Sequence, residues 1–266
     1  MEIFYYSGTG FTLAAARAFA AHIDEEVRLR PIVQLMREGA TSSDAEKIGL
    51  FMPMHAFGLP SAFIRFLREF RFPRASFICA LVTRGGAPTR MHMEIDRLLR
   101  RQGKRLNAFQ YVTTPNTFDI IFHVPEGPEV LEAQKRGEED IRQFAAQVNR
   151  GEAGIHLGYR NRFHENFTFP ILRGLNRMTG YFNLQNSFYA DGTCTGCGQC
   201  EEVCLSGRIR MKDNRPVWDH TAACQYCLAC LHLCPVHAVQ VKKSKTPELG
   251  RIRRPDVSWK EIAAQK

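Results

Sequence analysis

Eight cysteines stand in two short runs, and their spacing is the feature of the chain with the most definite chemistry. The first run reads Cys194-Thr-Gly-Cys197-Gly-Gln-Cys200-Glu-Glu-Val-Cys204; the second reads Cys224-Gln-Tyr-Cys227-Leu-Ala-Cys230-Leu-His-Leu-Cys234, followed by Pro235. Each has the form C-x2-C-x2-C-x3-C. Three thiolates two residues apart let one tight loop wrap three corners of a four-iron, four-sulfide cubane, and the fourth corner must come from elsewhere in the chain. Gly196, Gly198 and Ala229 are small enough for backbone N–H groups to approach the negatively charged core. Zinc also uses C-x2-C pairs, but it takes four ligands, and two interleaved quartets at this spacing are not its pattern. Disulfides need an oxidising compartment. The opening Met1-Glu2-Ile3-Phe4-Tyr5-Tyr6 has neither the basic start nor the long apolar core of a secretion signal, so a cytoplasmic setting is expected. The chemistry expected of these residues is one-electron transfer by two 4Fe–4S clusters.

The two runs are an internal repeat at an offset of 30 residues, with Ile209 and Met211 mapping onto Val239 and Val241. The copies differ where Leu205 faces Pro235 and Arg208 faces Ala238, so the two clusters are expected in unlike surroundings with unequal potentials. The ninth cysteine, Cys79, lies in an apolar run and reads as a core residue. The formal charge is +9, but each oxidised cluster with its four thiolates carries about −2. The basic excess is thus partly compensation for cofactors, and no nucleic-acid partner is expected. No apolar run is long enough to span a bilayer.

A second constellation lies at the start. An apolar strand over residues 2–6 runs into Ser7-Gly8-Thr9-Gly10-Phe11-Thr12 and then an alanine-rich helix. Such a loop offers a phosphate several backbone N–H groups, hydroxyls from Ser7, Thr9 and Thr12, and the positive end of a helix dipole. It lacks the Gly-Lys-Ser/Thr of a Walker loop, and Leu13 stands where a dinucleotide fingerprint needs a small residue. The monophosphate of FMN suits it. Further apolar strands over 48–52, 77–82 and 106–112 alternate with helices over 61–70, from 89 to about 102, and over 126–149, the last with a break near Gly137. Strands apolar throughout and alternating with helices predict a parallel sheet covered on both faces. Ligands of such sheets bind beyond the carboxyl ends of the strands. The loops after Tyr6, Met52 and Val82 are therefore expected on three sides of one site. No Ser/His/Asp or paired-carboxylate constellation is apparent.

On these motifs the chain resembles the bacterial flavodoxin–ferredoxin fusion family. The resemblance implies an α/β flavodoxin-like doubly wound parallel sheet at 1–150 and a small α+β bacterial-type ferredoxin domain at 185–245. An aromatic-rich bridge at 151–184 would pack between them, and 246–266 would form a basic, solvated tail. It implies two 4Fe–4S clusters with crossed ligation, Cys194, Cys197, Cys200 and Cys234 on one and Cys224, Cys227, Cys230 and Cys204 on the other. It implies FMN held by Ser7, Gly8, Thr9, Gly10, Phe11 and Thr12 at the phosphate, and at the ring by Pro53, Met54, His55, Ala56, Phe57 and Gly58 with Thr83, Arg84, Gly85 and Gly86. Phe11 departs from the frequent Asn, and Phe57 is the nearest substitute for a stacking Trp or Tyr. The function implied is a relay of electrons between clusters and flavin, serving redox partner proteins. The alternatives are a flavin-dependent reductase of a small molecule, and a cluster protein whose flavodoxin domain is only a docking module.

Overall fold

The structure, a computed structural model, describes residues 1–55, 57–86, 89–118, 120, 123, 127–157, 163–178 and 184–266. Strands β1 (Glu2–Tyr5), β2 (Arg28–Pro31), β3 (Lys47–Pro53), β4 (Phe77–Arg84), β5 (Ala108–Thr113) and β6 (Gly154–His156) form one sheet. Their order is β2-β1-β3-β4-β5-β6, and every pairing is parallel. The first five stand in the flavodoxin-like order 2-1-3-4-5, whose switch point lies between β1 and β3.

Side chains alternate between the two faces of the sheet. Phe4, Tyr6, Leu50, Ala80 and Val82 face a core closed by α2 (Ile32–Arg37), α3 (Ser61–Glu69) and α4 (Met91–Arg100). Ile3, Tyr5, Phe51, Cys79 and Leu81 face a second core closed by α1 (Phe11–Ala20) and α5 (Pro128–Asn149). Cys79 is a fully buried member of it, and burial pushes its thiol up to about 12.

Three expectations for this half change. Strands β2 and β6 were not anticipated; β2 reads Arg-Leu-Arg-Pro, too charged for an apolar-run criterion, because it is an edge strand. Helix α5 runs unbroken through Gly137, whose missing side chain lets the helix lie close on β5: a Cβ there would stand 3.1 Å from the Thr113 carbonyl. The stretch expected as a packed bridge instead contains α6 (Phe169–Met178), preceded by a π-helical turn (His164–Thr168), with Phe163, Phe167 and Ile171 exposed. Tyr159, Tyr181 and Phe182 lie outside the described residues.

Each cysteine run contains one helical turn, α7 (Gln199–Glu202) and α8 (Ala229–His232). Two antiparallel ribbons complete this part: β7 (Phe188–Ala190) pairs with β10 (Val239–Val241), and β8 (Ile209–Lys212) with β9 (Arg215–Trp218). The closing segment is not a solvated tail. It ends in α9 (Trp259–Ala263), opened by a capping box between Ser258 and Glu261, and it buries Val257, Ile262 and Gln265.

Candidate metal centres and the crevice beneath them

The two cysteine loops share a backbone as well as a spacing. Gly196 and Gly198 hold left-handed conformations in the first loop, and Tyr226 and Leu228 hold them at the equivalent places in the second. These reversals wrap three thiols around one point, and the turns α7 and α8 carry the third cysteine of each run inward. Cys194, Cys197, Cys200 and Cys234 line one cleft together with Met211 and Pro216. Cys204 lies with Cys224, Cys227 and Cys230. The structure thus places Cys234 beside the first run and Cys204 beside the second, with Cys200 also near Cys230.

Amide N–H groups point at the sulfurs: Tyr226 donates to Cys224 Sγ at 3.3 Å and Ala238 to Cys234 Sγ at 3.2 Å. Burial pushes the Cys200 and Cys227 thiols up to about 12 and raises those of Cys224 and Cys230. Iron must therefore displace protons when it binds. Among the described residues no three His, Cys, Asp or Glu side chains form a single-ion site. The donor set, four thiols per quartet with inward N–H groups, fits a four-iron core.

The quartets differ in exposure. Cys197 is exposed, and its cleft is lined in part by exposed Val236 and by Met211 and Pro216, which exposed Arg210, Lys212 and Arg215 flank in sequence. The second quartet faces the sheet. A Cβ added to Gly8 would stand 2.7 Å from both Cys227 Cβ and the Cys227 carbonyl oxygen, so this loop touches the backbone after β1. The Tyr6 hydroxyl, buried and without a nitrogen or oxygen partner among the described residues, faces the Cys227 sulfur. The Gln225 side chain accepts from Ser61 Oγ at 2.7 Å and Ala62 N at 3.0 Å, at the start of α3. His55 meets the Gln225 backbone, and burial lowers its pKa to about 4. His232, held between the Thr117 carbonyl (2.7 Å) and the Ile252 N–H (3.2 Å), ties α8 to both neighbouring segments.

The loops expected to hold a flavin do converge. The Thr12 and Thr83 hydroxyls are 2.8 Å apart, Met54 N donates to the Thr83 carbonyl at 2.8 Å, and the Tyr6 and His55 rings meet edge to face. Phe57 takes a left-handed conformation that lets His55 and Gly58 pair across the turn. Arg84 is buried with its guanidinium 4.4 Å from the Tyr111 ring centre, and Gly85 lies so close to Asn116 that a Cβ would clash with its backbone. Pro53 is half-buried, Gly86 is exposed, and Ala56 lies outside the described residues.

The phosphate loop itself is closed. Ser7, Thr9, Phe11 and Thr12 are each less than one-tenth exposed, and Gly8 and Gly10 are buried. The Ser7 hydroxyl accepts from Leu13 N, in the first turn of α1, at 3.2 Å. The Gln265 carboxamide binds both sides of the Ser7 backbone, accepting from its N–H at 2.9 Å and donating to its carbonyl at 2.8 Å. Arg254 N donates to the Thr9 carbonyl at 3.1 Å, and a Cβ on Gly10 would meet Arg254 and Val257. The hydroxyl and backbone donors suit a phosphate, but in this conformation the space around them is taken by the closing segment and the second cysteine loop. An FMN does not fit here unless they move. Nothing in the sequence pattern linked Gln265 to Ser7, which lie 258 positions apart.

Residues 193–239 match the 4Fe-4S dicluster domain family. The chain joins a flavodoxin-like domain to a ferredoxin-type iron–sulfur domain. No curated protein matches the sequence. Among solved structures, the two-electron reduced flavodoxin of Megasphaera elsdenii is 16% identical, over 53% of this chain and 98% of its own, with a TM-score of 0.33. The FMN-dependent NADH-azoreductase of Bacillus anthracis str. Ames Ancestor, solved with FMN, is 10% identical over 56% and 100%, with a TM-score of 0.36. Rubredoxin oxygen:oxidoreductase from the anaerobe Desulfovibrio gigas is 20% identical over 55% and 36%, with a TM-score of 0.34, so the chain spans about a third of that protein's length. The flavodoxin-like fold rests on the strand order of the sheet, and the ferredoxin-type domain on its family match and cysteine spacing. No described helix is long and apolar enough to cross a membrane.

Proposed function

We propose that this chain is a one-electron carrier with one 4Fe–4S cluster in each crossed quartet, and that the flavodoxin-like domain is the seat of the second. The observation that carries this reading is the contact of Cys227 with Gly8 at the β1/β3 switch point, where a doubly wound sheet ordinarily binds its ligand. When bound, the clusters supply one-electron chemistry. The chain's own residues supply the rest. Tyr226 and Ala238 aim N–H groups at the sulfurs, Gln225 and His55 lock the second loop to the sheet, and Tyr6 and Gly8 exclude water from its floor. The face around exposed Cys197, next in sequence to exposed Arg210, Lys212 and Arg215, is the one offered to an acidic redox partner.

The relay to FMN is a second reading, supported by the hydroxyls and amides of Ser7–Thr12. It requires both the 254–265 segment and the second cysteine loop to move away from the Ser7–Thr12 loop. Iron, sulfide and flavin analysis of the anaerobically purified chain separates the two. About eight iron and eight sulfide with no flavin is expected. Near-stoichiometric FMN would favour the relay, and zinc without sulfide would sink both.

A further inference from the structure

Arg208 is 1% exposed, the largest fully buried side chain among the described residues. Its Nε donates to the Asp219 carbonyl at 3.1 Å, and Asp219 N returns a bond to the Arg208 carbonyl at 2.7 Å. Nη1 and Nη2 are also buried, and neither has a hydrogen-bond partner among the nitrogen and oxygen atoms of the described residues. A buried guanidinium with its outer N–H groups unmet is strongly destabilising unless an anion lies against it. The group it faces is the Cys224 thiol of the second quartet.

The repeat supplies the contrast. The position equivalent to Arg208 in the other copy is Ala238, whose backbone N–H reaches Cys234 Sγ at 3.2 Å and which brings no charge. Among the described residues no carboxylate bonds the outer nitrogens of Arg208: Asp219, whose charge Arg208 favours from a distance, spends its Oδ1 on the N–H and hydroxyl of Thr221 at 2.8 and 2.6 Å. At the equivalent positions of the repeat, the second quartet therefore has a buried cation where the first has an alanine, with Lys266 a further, less buried cation near Cys204.

Resting on the two-cluster reading, we infer that Arg208 is the built-in counter-charge of the group held by Cys224, Cys227, Cys230 and Cys204, and that it raises the reduction potential of that group alone. Reduction adds one negative charge, so a fixed buried cation favours the reduced form. Arg208 acts here as a positioning residue for charge, not as a ligand.

The test is an anaerobic potentiometric titration of the holoprotein followed by EPR, on the native chain, Arg208→Met and Arg208→Lys. Cys197→Ala, which removes a ligand from the first quartet alone, assigns the two signals. Arg208→Met should shift the second couple to more negative potential by the equivalent of about a tenfold change in its reduction equilibrium, about 59 mV for one electron. The first couple should not move, and Arg208→Lys should recover at least half of the shift. Should Arg208→Met fail to hold its second four irons while Arg208→Lys keeps them, charge is again the property required. Equal shifts of both couples, no shift at all, or loss of iron in both variants would overturn the inference and leave Arg208 a packing residue. A native chain with only four irons would instead remove the two-cluster reading beneath it.

Discussion

Gly8→Ala tests the seat of the second quartet more directly than any change to a ligand. Gly8 is not in the left-handed region, so its backbone accepts alanine, and the effect is steric. The new Cβ would stand 2.7 Å from Cys227 Cβ and 2.7 Å from the Cys227 carbonyl oxygen. One of these atoms is backbone, so no side-chain rotation relieves the clash. The cysteine loop must retreat from the sheet. Overpacking of this kind costs about 1–3 kcal/mol, which lowers the docked-to-undocked ratio roughly 5- to 150-fold. In a chain of this length that corresponds to a melting point roughly 2–12 °C lower. The assay is anaerobic thermal unfolding of the cluster-loaded protein, with amide hydrogen exchange over residues 6–13 and 224–231. Gly192→Ala is the control, because a Cβ there meets nothing within 4 Å. If Gly8→Ala melts with the native protein and keeps native protection in both segments, the second quartet is not seated on β1 and the reasoning fails.

Three other outcomes are expected. Cys234→Ala should damage the cluster of Cys194, Cys197 and Cys200, and Cys204→Ala that of the second run; EPR showing each variant losing the cluster of its own run would exclude crossed ligation. Gln265→Ala removes both bonds to the Ser7 backbone, about 1–3 kcal/mol in total, and should speed hydrogen exchange at Ser7; if the closing segment is all that keeps FMN out, calorimetry will also show FMN binding that the native chain lacks. His55 has a folded pKa of about 4, below its unfolded value of 6.5. The unfolded state therefore binds the proton more tightly, and stability is full above about pH 6.5 and falls towards pH 4. A His55→Asn chain with an unchanged acid limb over that window would assign the loss to other groups.

The cysteine spacing, the apolar strands of the sheet and the three converging loops were legible because each is written in local sequence. Cys194 to Cys234 specify their own geometry, and the alternation of Ile3, Phe4, Tyr5 and Tyr6 between two cores follows from the strand period. Strand β2 was not legible because Arg28 and Arg30 are charged side chains on an edge. The closing segment was hidden for a different reason. Arg251, Arg253 and Arg254 dominate its composition, while its burial rests on Val257, Ile262 and Gln265, three positions with no strong run. Its contacts with Ser7 and Thr9 are long-range pairings that single-sequence periodicity does not encode.

The two cysteine loops also show how one backbone tolerates unlike sequences. The first loop puts glycine at both left-handed positions, Gly196 and Gly198, and its neighbour Cys197 faces solvent. The second puts Tyr226 and Leu228 at the same positions, where a side chain adds strain of order 1–3 kcal/mol per residue. Such strain persists only where the surroundings over-determine the conformation. Around the second loop they do. Leu228 is 3% exposed in the iron–sulfur domain's core, Gln225 is bound by Ser61 and Ala62, and Cys227 rests on Gly8 and Tyr6. The loop without glycine is the one the flavodoxin-like domain holds in place. On this logic the sheet's crevice does for Tyr226 and Leu228 what the missing Cβ does for Gly196 and Gly198.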